Sequence, residues 1–193
     1  MRVLTSSKVA KPLRRKFADV EAFEKWAFQQ ERGYEFTKGN TFKKDMIKEA
    51  ELLIIWFLNR LFKKTEFYTK GSELLSEVGM RLLTGSFRIP DLSFFTAEQH
   101  LTASRGERIV SEFVIEILSN SESGQQIADK ISDYFASGVK VVWYIYPKTE
   151  MIYIYTSPKD IKVCQGADIC SASPVIPDFK FQTKDIFKKE PNL

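Results

Sequence analysis

The segment Phe113-Val114-Ile115-Glu116-Ile117-Leu118 constrains this chain more than any other. It makes residues 112–119 a near-continuous apolar strand, and a strand apolar on both faces belongs in the middle of a covered sheet. One residue contradicts the pattern. A carboxylate buried at Glu116 costs several kcal/mol unless it is paired, protonated or bound to a metal. A second buried strand is expected over 139–146, closed by Pro147. Between the two, Ser121 or Ser123 caps a helix that runs to about residue 137 and stops at Gly138.

The remaining elements follow from spacing and punctuation. Asp19 caps a helix carrying Val20, Phe23, Ala27 and Phe28, which Gly33 ends. Tyr34-Glu35-Phe36-Thr37 reads as a strand, Lys38-Gly39-Asn40 as a turn, and the return strand begins near Thr41. Asp45 is expected to cap a long helix to about residue 61. That helix is apolar on most sides and so packs against a sheet. Strand-like segments follow at 66–70, 72–76, 80–84 and 88–95, joined by Gly71, Gly79 and Gly85 as an antiparallel meander. A short helix spans 97–104. Residues 151–155 form the hairpin partner of the second buried strand, and 160–164 add another. A Pro-punctuated tail from Pro174 wraps the body. This order predicts an α/β (α+β) fold, a mixed sheet flanked by helices. Residues 1–16, with Lys8, Lys11, Arg14, Arg15 and Lys16, form a basic arm, and 17–193 form one domain.

Composition excludes several chemistries. The chain has 193 residues with 44% hydrophobic and 28% charged, the balance of a globular protein rather than a disordered one. A single histidine, His100, excludes a His-rich zinc site, and its expected place is the surface of the short helix. Cys164 and Cys170 are too few for a disulfide framework or a four-Cys zinc site, and read as inert packing groups. The first residues lack the apolar run of a signal peptide, and the longest apolar stretch, 52–58, is far too short to span a bilayer. The expectation is a reduced, cytoplasmic protein with no membrane partner. A net charge of +4 permits a polyanionic partner. Ser119 and Ser121 are read as caps. Phe94, Phe95, Trp143, Tyr144 and Tyr146 are read as core or sheet-face groups.

Asp91 raises the same question as Glu116, inside Arg88-Ile89-Pro90-Asp91-Leu92-Ser93-Phe94-Phe95. Pro90 interrupts the ladder there and marks an edge or a bend. Two carboxylates on neighbouring strands can hold a divalent cation such as Mg²⁺. They can equally be strand-end groups or structural ion-pair partners, and spacing alone leaves both open.

These residues resemble the active-site signature of the PD-(D/E)XK nuclease superfamily. More closely, the chain resembles the Uma-type restriction endonucleases of bacteria, long known only as a domain of unknown function. The matching features are Tyr34-Glu35 before Gly39, then Arg88-Ile89-Pro90-Asp91, then Glu116-Ile117-Leu118-Ser119-Asn120-Ser121. Lys130 with Tyr134 follows on a helix, then Gly138-Val139, Trp143 and Pro147. The resemblance covers roughly 19–187 and implies a restriction-endonuclease-like core. It implies metal-dependent hydrolysis of DNA phosphodiester bonds. Asp91 and Glu116 would hold Mg²⁺ or Mn²⁺, and Lys130 would position the attacking water or stabilise developing charge. Glu35 would complete the acidic cluster, as a ligand through water or as a partner of Lys130.

Three departures accompany the resemblance. Leu118 stands where the superfamily usually has lysine, and strand period places it on the face of Glu116. In this family the lysine is thought to have moved to the next helix, which nominates Lys130. Gln126 stands where an acid is common, with Asp129 nearby, and Lys43, Lys44 and Asp45 occupy the region where many members carry a His. Glu49 or Glu51 on the long helix could face the site, although a solvated helix face is the ordinary reading. The alternative to an enzyme is a catalytically decayed nucleic-acid-binding or regulatory protein on the same fold. A third reading is an interaction module that dimerises through an apolar helix or sheet edge. A homodimer also suits an enzyme that cuts both strands.

Overall fold

A computed structural model describes residues 11–13, 15–45, 47–118 and 122–188, without the side chains of residues 49 and 50. Helix α1 (Val20–Ala27) leads into β1 (Tyr34–Thr37) and β2 (Asn40–Lys43). Helices α2 (Glu49–Phe62) and α3 (Glu66–Thr69) follow. Next come β3 (Glu73–Ser76), β4 (Met80–Arg81), β5 (Phe87–Arg88), β6 (Leu92–Phe95), α4 (Ala97–Ser104) and β7 (Phe113–Ile117). Helix α5 (Gly124–Ala136) connects β7 to β8 (Val141–Tyr146), and β9 (Met151–Ser157), β10 (Asp160–Gln165), β11 (Ile169–Ala172) and β12 (Ile176–Gln182) complete the strands. A 3₁₀ helix, Thr183–Phe187, ends the described chain.

The central sheet has the order β10-β9-β8-β7-β6-β3. Among the described residues only β7 and β8 of this sheet pair in parallel, with Glu116 opposite Tyr144, and the other neighbours are antiparallel. This is the expected mixed sheet flanked by helices. Its one parallel pair is the one that α5 bridges, because parallel neighbours require a crossover. A smaller antiparallel sheet, β2-β1-β5-β4, stands beside it, and β11 pairs with β12.

Strand period sorts the side chains of β7 between two layers. Phe113, Ile115 and Ile117 face a cluster with Ile54, Phe57 and Leu58 of α2 and Phe179 and Phe181 of β12. Val114 faces Ile131 and Tyr134 of α5. Glu116 lies on the Val114 side, toward α5, and Leu118 packs on that same side. In β1 the alternation places Phe36 in a third cluster with Val20, Phe23, Phe87 and Ile89, and turns Glu35 away from it.

Several local expectations are corrected. Residues 66–70 are not a strand but contain α3. Thr65 caps it by accepting from the Tyr68 amide at 3.3 Å, and the Glu66 amide is held by Asp178 at 2.8 Å. Helix α2 starts at Glu49 rather than after Asp45, because Glu51 reaches back to the Lys48 amide at 2.8 Å and sets the first turn there. The segment 88–95 is not one strand. Pro90 and Asp91 carry the chain from β5 in the small sheet to β6 in the central one. The meander is divided in the same way, with β3 in one sheet and β4 in the other. The tail does pack on the body, but as a hairpin and a 3₁₀ helix.

Ser123 is the cap of α5, accepting from the Gln126 amide at 3.2 Å. Ser119, Ser121, most of the basic arm and the Glu49 side chain lie outside what is described. The described part of the arm meets the small sheet. The Leu13 amide donates to Thr41 O at 2.7 Å, and Lys16 donates to Asn40 at 2.6 Å. His100 is half-buried with its ring 6.1 Å from that of Phe95, so it lies against the sheet rather than free on the surface. Both cysteines are buried and free, and burial pushes the Cys170 thiol up to about 12. No helix among the described residues is long and apolar enough to cross a membrane.

Candidate active site

The three strand carboxylates named from sequence converge with Lys130 in one cleft. Glu35 arrives from β1, Asp91 from the bend before β6, Glu116 from β7 and Lys130 from α5. The cavity holds about 80 Å³ and is also lined by Thr37, Lys44, Arg88 and Glu122. That volume admits a few waters or an ion, so any larger substrate group approaches from the mouth.

Lys130 is the hub. Its Nζ lies 2.8 Å from Glu122 Oε1, 3.2 Å from Glu116 Oε2 and 3.7 Å from Glu35 Oε1. Helical spacing puts Tyr134 one turn further along the same face, and its hydroxyl donates to Glu116 Oε1 at 2.5 Å. Glu116 therefore has a partner on each oxygen. Asp91 is fixed on both sides as well: Oδ2 accepts from the Ile117 amide at 2.5 Å and Oδ1 from Lys44 at 2.7 Å. Lys44 also lies 3.9 Å from Glu116 Oε2, so one ammonium bridges both carboxylates.

A second layer holds Glu35. Arg88 Nη1 donates to Glu35 Oε2 at 3.3 Å, and the Ile89 amide donates to Oε1 at 3.0 Å. The same guanidinium donates to Asp133 Oδ2 from Nε at 3.0 Å and Nη2 at 2.6 Å. Thr37 adds a hydrogen bond to Asp133 at 3.3 Å.

Charge states follow from this arrangement. Burial pushes the Glu35 carboxyl up, but Lys130, Arg88 and Lys44 outweigh it and bring it down to about 2. Glu116 goes the other way. Burial raises it to about 7 against Lys130 and Lys44, with Asp91 and Glu122 adding like charge. Burial lowers the Lys130 ammonium less than Glu116, Glu35 and Glu122 raise it, so it stays charged well beyond neutral pH. Lys44 is likewise raised, by Glu116 and Asp91 against burial. Burial beside Glu116 raises the Tyr134 phenol well above its ordinary value, so it remains a donor.

The donor set fits a hard divalent ion. Asp91 and Glu116 offer carboxylate oxygens at one point, and Mg²⁺ is commonly held by one or two carboxylates plus substrate phosphate. Among the described residues no group of three or more His, Cys, Asp or Glu has metal-holding geometry.

Other named positions lie around this centre. Glu51 lines the cleft. Gln126 is also at the cleft, and its side-chain oxygen accepts from the Ser123 amide at 2.8 Å. Asp129 pairs with Lys38 at 2.8 Å on the rim. Lys44, Glu122, Arg88 and Asp133 were not assigned site roles from sequence. A carboxylate demand at Asp91 and Glu116 predicts some cation, but nothing local identifies Lys44 as that cation.

The chain is similar to known proteins. The family model of Uma2, described as "Putative restriction endonuclease", matches residues 20–184. The chain belongs to the Uma2 family. Its fold is similar to the crystal structure of a "putative nuclease belonging to DUF820" from Anabaena variabilis ATCC 29413. The TM-score is 0.77 over 89% of this chain and 98% of that one, at 18% identity. At that identity the likeness is one of fold. No curated protein matches the chain. In this Uma2 member Leu118 lies on the face of Glu116, and Lys130 of α5 brings an ammonium to 3.2 Å from that carboxylate.

Proposed function

We propose that this Uma2 protein is a metal-dependent endonuclease that hydrolyses DNA phosphodiester bonds. The observation that carries the reading is the convergence of Asp91 Oδ1 and Glu116 Oε2 on one cation position, with Lys130 3.2 Å from the same Glu116 oxygen. Asp91 and Glu116 would hold Mg²⁺ or Mn²⁺. Such an ion polarises a scissile phosphate and lowers the pKa of a bound water.

The chain's own residues divide the remaining work. Lys130 stays protonated, so it serves as a hydrogen-bond donor and positive charge rather than as a general base. Tyr134 holds one Glu116 oxygen and Lys130 the other, which fixes the carboxylate's orientation. Glu35, kept ionised, balances Lys130 and Arg88 within the cleft. Family membership supports a nucleic-acid substrate, and a cytoplasmic location suits one.

The test is incubation of supercoiled plasmid with the protein in Mg²⁺ or Mn²⁺, beside Glu116→Ala and Lys130→Ala. Nicking or linearisation lost in both variants supports the enzyme and the place of Lys130. Loss in Glu116→Ala alone keeps the metal site and removes Lys130 from the reaction. Absence of cleavage by wild type favours a binding protein on this fold. The bridging of Asp91 and Glu116 by Lys44 is the observation on that side, since a protein ammonium can satisfy both carboxylates with no metal.

A further inference from the structure

Lys44 is placed rather than draped. Its amide donates to Gly33 O at 3.0 Å, which fixes the backbone just after β2. Its stem passes Gly33, where a Cβ would lie 3.4 Å from Lys44 Cβ and 3.2 Å from Ile89 Cδ1. The tight approach at Gly33 is to Ile89, and the lysine stem lies beside it at ordinary contact distance. The ammonium ends 2.7 Å from Asp91 and 3.9 Å from Glu116, with the side chain 12% exposed at the cleft.

The charges around it are unbalanced. The interlocked ion pairs join five carboxylates, Glu35, Asp91, Glu116, Glu122 and Asp133, to three cations, Lys44, Arg88 and Lys130. Arg88 and Lys130 are each locked by at least two carboxylates and reach the site from β5 and α5. Lys44 comes from the segment between β2 and α2 and is the cation that pairs with both Asp91 and Glu116, at 2.7 and 3.9 Å.

We propose that Lys44 is the metal site's own counter-ion: its ammonium holds the position between Asp91 and Glu116 that a divalent cation takes, and must withdraw for that cation to bind. The proposal rests on reading Asp91 and Glu116 as the metal carboxylates. It makes Lys44 a positioning residue that keeps the two acids together without metal and sets how tightly they take one. A divalent ion placed between Asp91 and Glu116 would stand against the Lys44 ammonium and repel it, so Lys44 and the ion compete.

Calorimetric titration of Mn²⁺ into the full-length protein tests this, using wild type, Lys44→Met and Asp91→Asn. Lys44→Met is expected to bind Mn²⁺ about tenfold more tightly than wild type, since no charge has to be displaced. Asp91→Asn is expected to lose binding. Equal or weaker binding by Lys44→Met, with wild type binding normally, overturns the proposal and leaves the metal site intact. Absence of binding by both removes the metal reading, and the proposal with it. A second measurement uses wild type alone and needs no variant to fold. Reductive methylation read by mass spectrometry is expected to rise at Lys44 on saturation with Mn²⁺, as the ammonium moves into solvent. Unchanged or lower labelling of Lys44 in the metal-bound protein overturns the proposal.

Discussion

The Tyr134 hydroxyl and the Glu116 carboxylate are joined by a 2.5 Å hydrogen bond between the helix and the strand that frame the cleft. Both groups are buried, so the hydrogen bond is shielded from bulk solvent. Tyr134→Phe keeps the ring and removes only the donor. It is expected to destabilise the protein by about 1–3 kcal/mol, the cost of leaving a buried acceptor unmet. Urea unfolding measures this. A change within error would mean that Glu116 finds another donor and that Tyr134 does not orient it.

Stability of the metal-free protein is expected to peak near the ordinary carboxyl pKa and fall on both sides. Glu116 is raised from 4.5 to about 7, so the fold favours its protonated form. That contribution is present below 4.5 and is lost as pH rises through 7. Glu35 is lowered from 4.5 to about 2, so its contribution is present above 4.5 and is lost as pH falls through 2. Each shift corresponds to about 3 kcal/mol. Melting temperatures across this range, with divalent ions chelated, are the measurement. Glu116→Gln should flatten the decline between 4.5 and 7 and leave the acid side sloping. A wild type equally stable at both ends of the higher window would contradict the environment assigned to Glu116.

Much of this site can be read from the chain, and the boundary is physical. Glu116 announces itself because a strand apolar on both faces makes one carboxylate conspicuous. Pro90 marks the bend that turns out to be the passage between two sheets, although the sequence reads 88–95 as one strand because both sheets bury it. Lys130 is legible only through the family pattern, since a lysine on an amphipathic helix ordinarily faces water. Lys44 is legible only as one of three charged residues, Lys43, Lys44 and Asp45, where the resembled family often has a His, and nothing in the chain pairs it with Asp91. It is 47 residues from Asp91, in a segment whose charges look solvated. Arg88 and Asp133 are hidden in the same way. Their partner is 45 residues away, and only the docking of α5 on the small sheet brings them together.

Arg88 is expected to be the least replaceable cation in the cluster. Its fork donates from Nε and Nη2 to Asp133 and from Nη1 to Glu35, so one planar group satisfies two buried acids. Arg88→Met is expected to cost about 3–5 kcal/mol by leaving buried charge unpaired. Arg88→Lys should recover little of this, because a single ammonium cannot reproduce the fork. Denaturant midpoints for the two variants give the comparison. Full recovery by lysine would show that charge alone, without the fork, holds Glu35 and Asp133.

Leu118 stands two residues after Glu116 and on the same face, so the strand itself brings no ammonium to this carboxylate. If Lys130 supplies the missing ammonium from α5, the two positions should be interchangeable in part. Lys130→Met is expected to lower plasmid cleavage by about 100-fold or more, in the range seen when a group stabilising transition-state charge is removed. Adding Leu118→Lys to that variant should restore a measurable share of the loss, since a strand lysine returns positive charge beside Glu116. Leu118→Lys alone, with Lys130 in place, should restore nothing and should cost stability by crowding a second cation into the cleft. Cleavage rates and melting temperatures for the single and double variants decide the matter. A double variant as inactive as Lys130→Met would mean that Lys130 acts through its contacts with Glu122 and Glu35, where a strand lysine cannot follow.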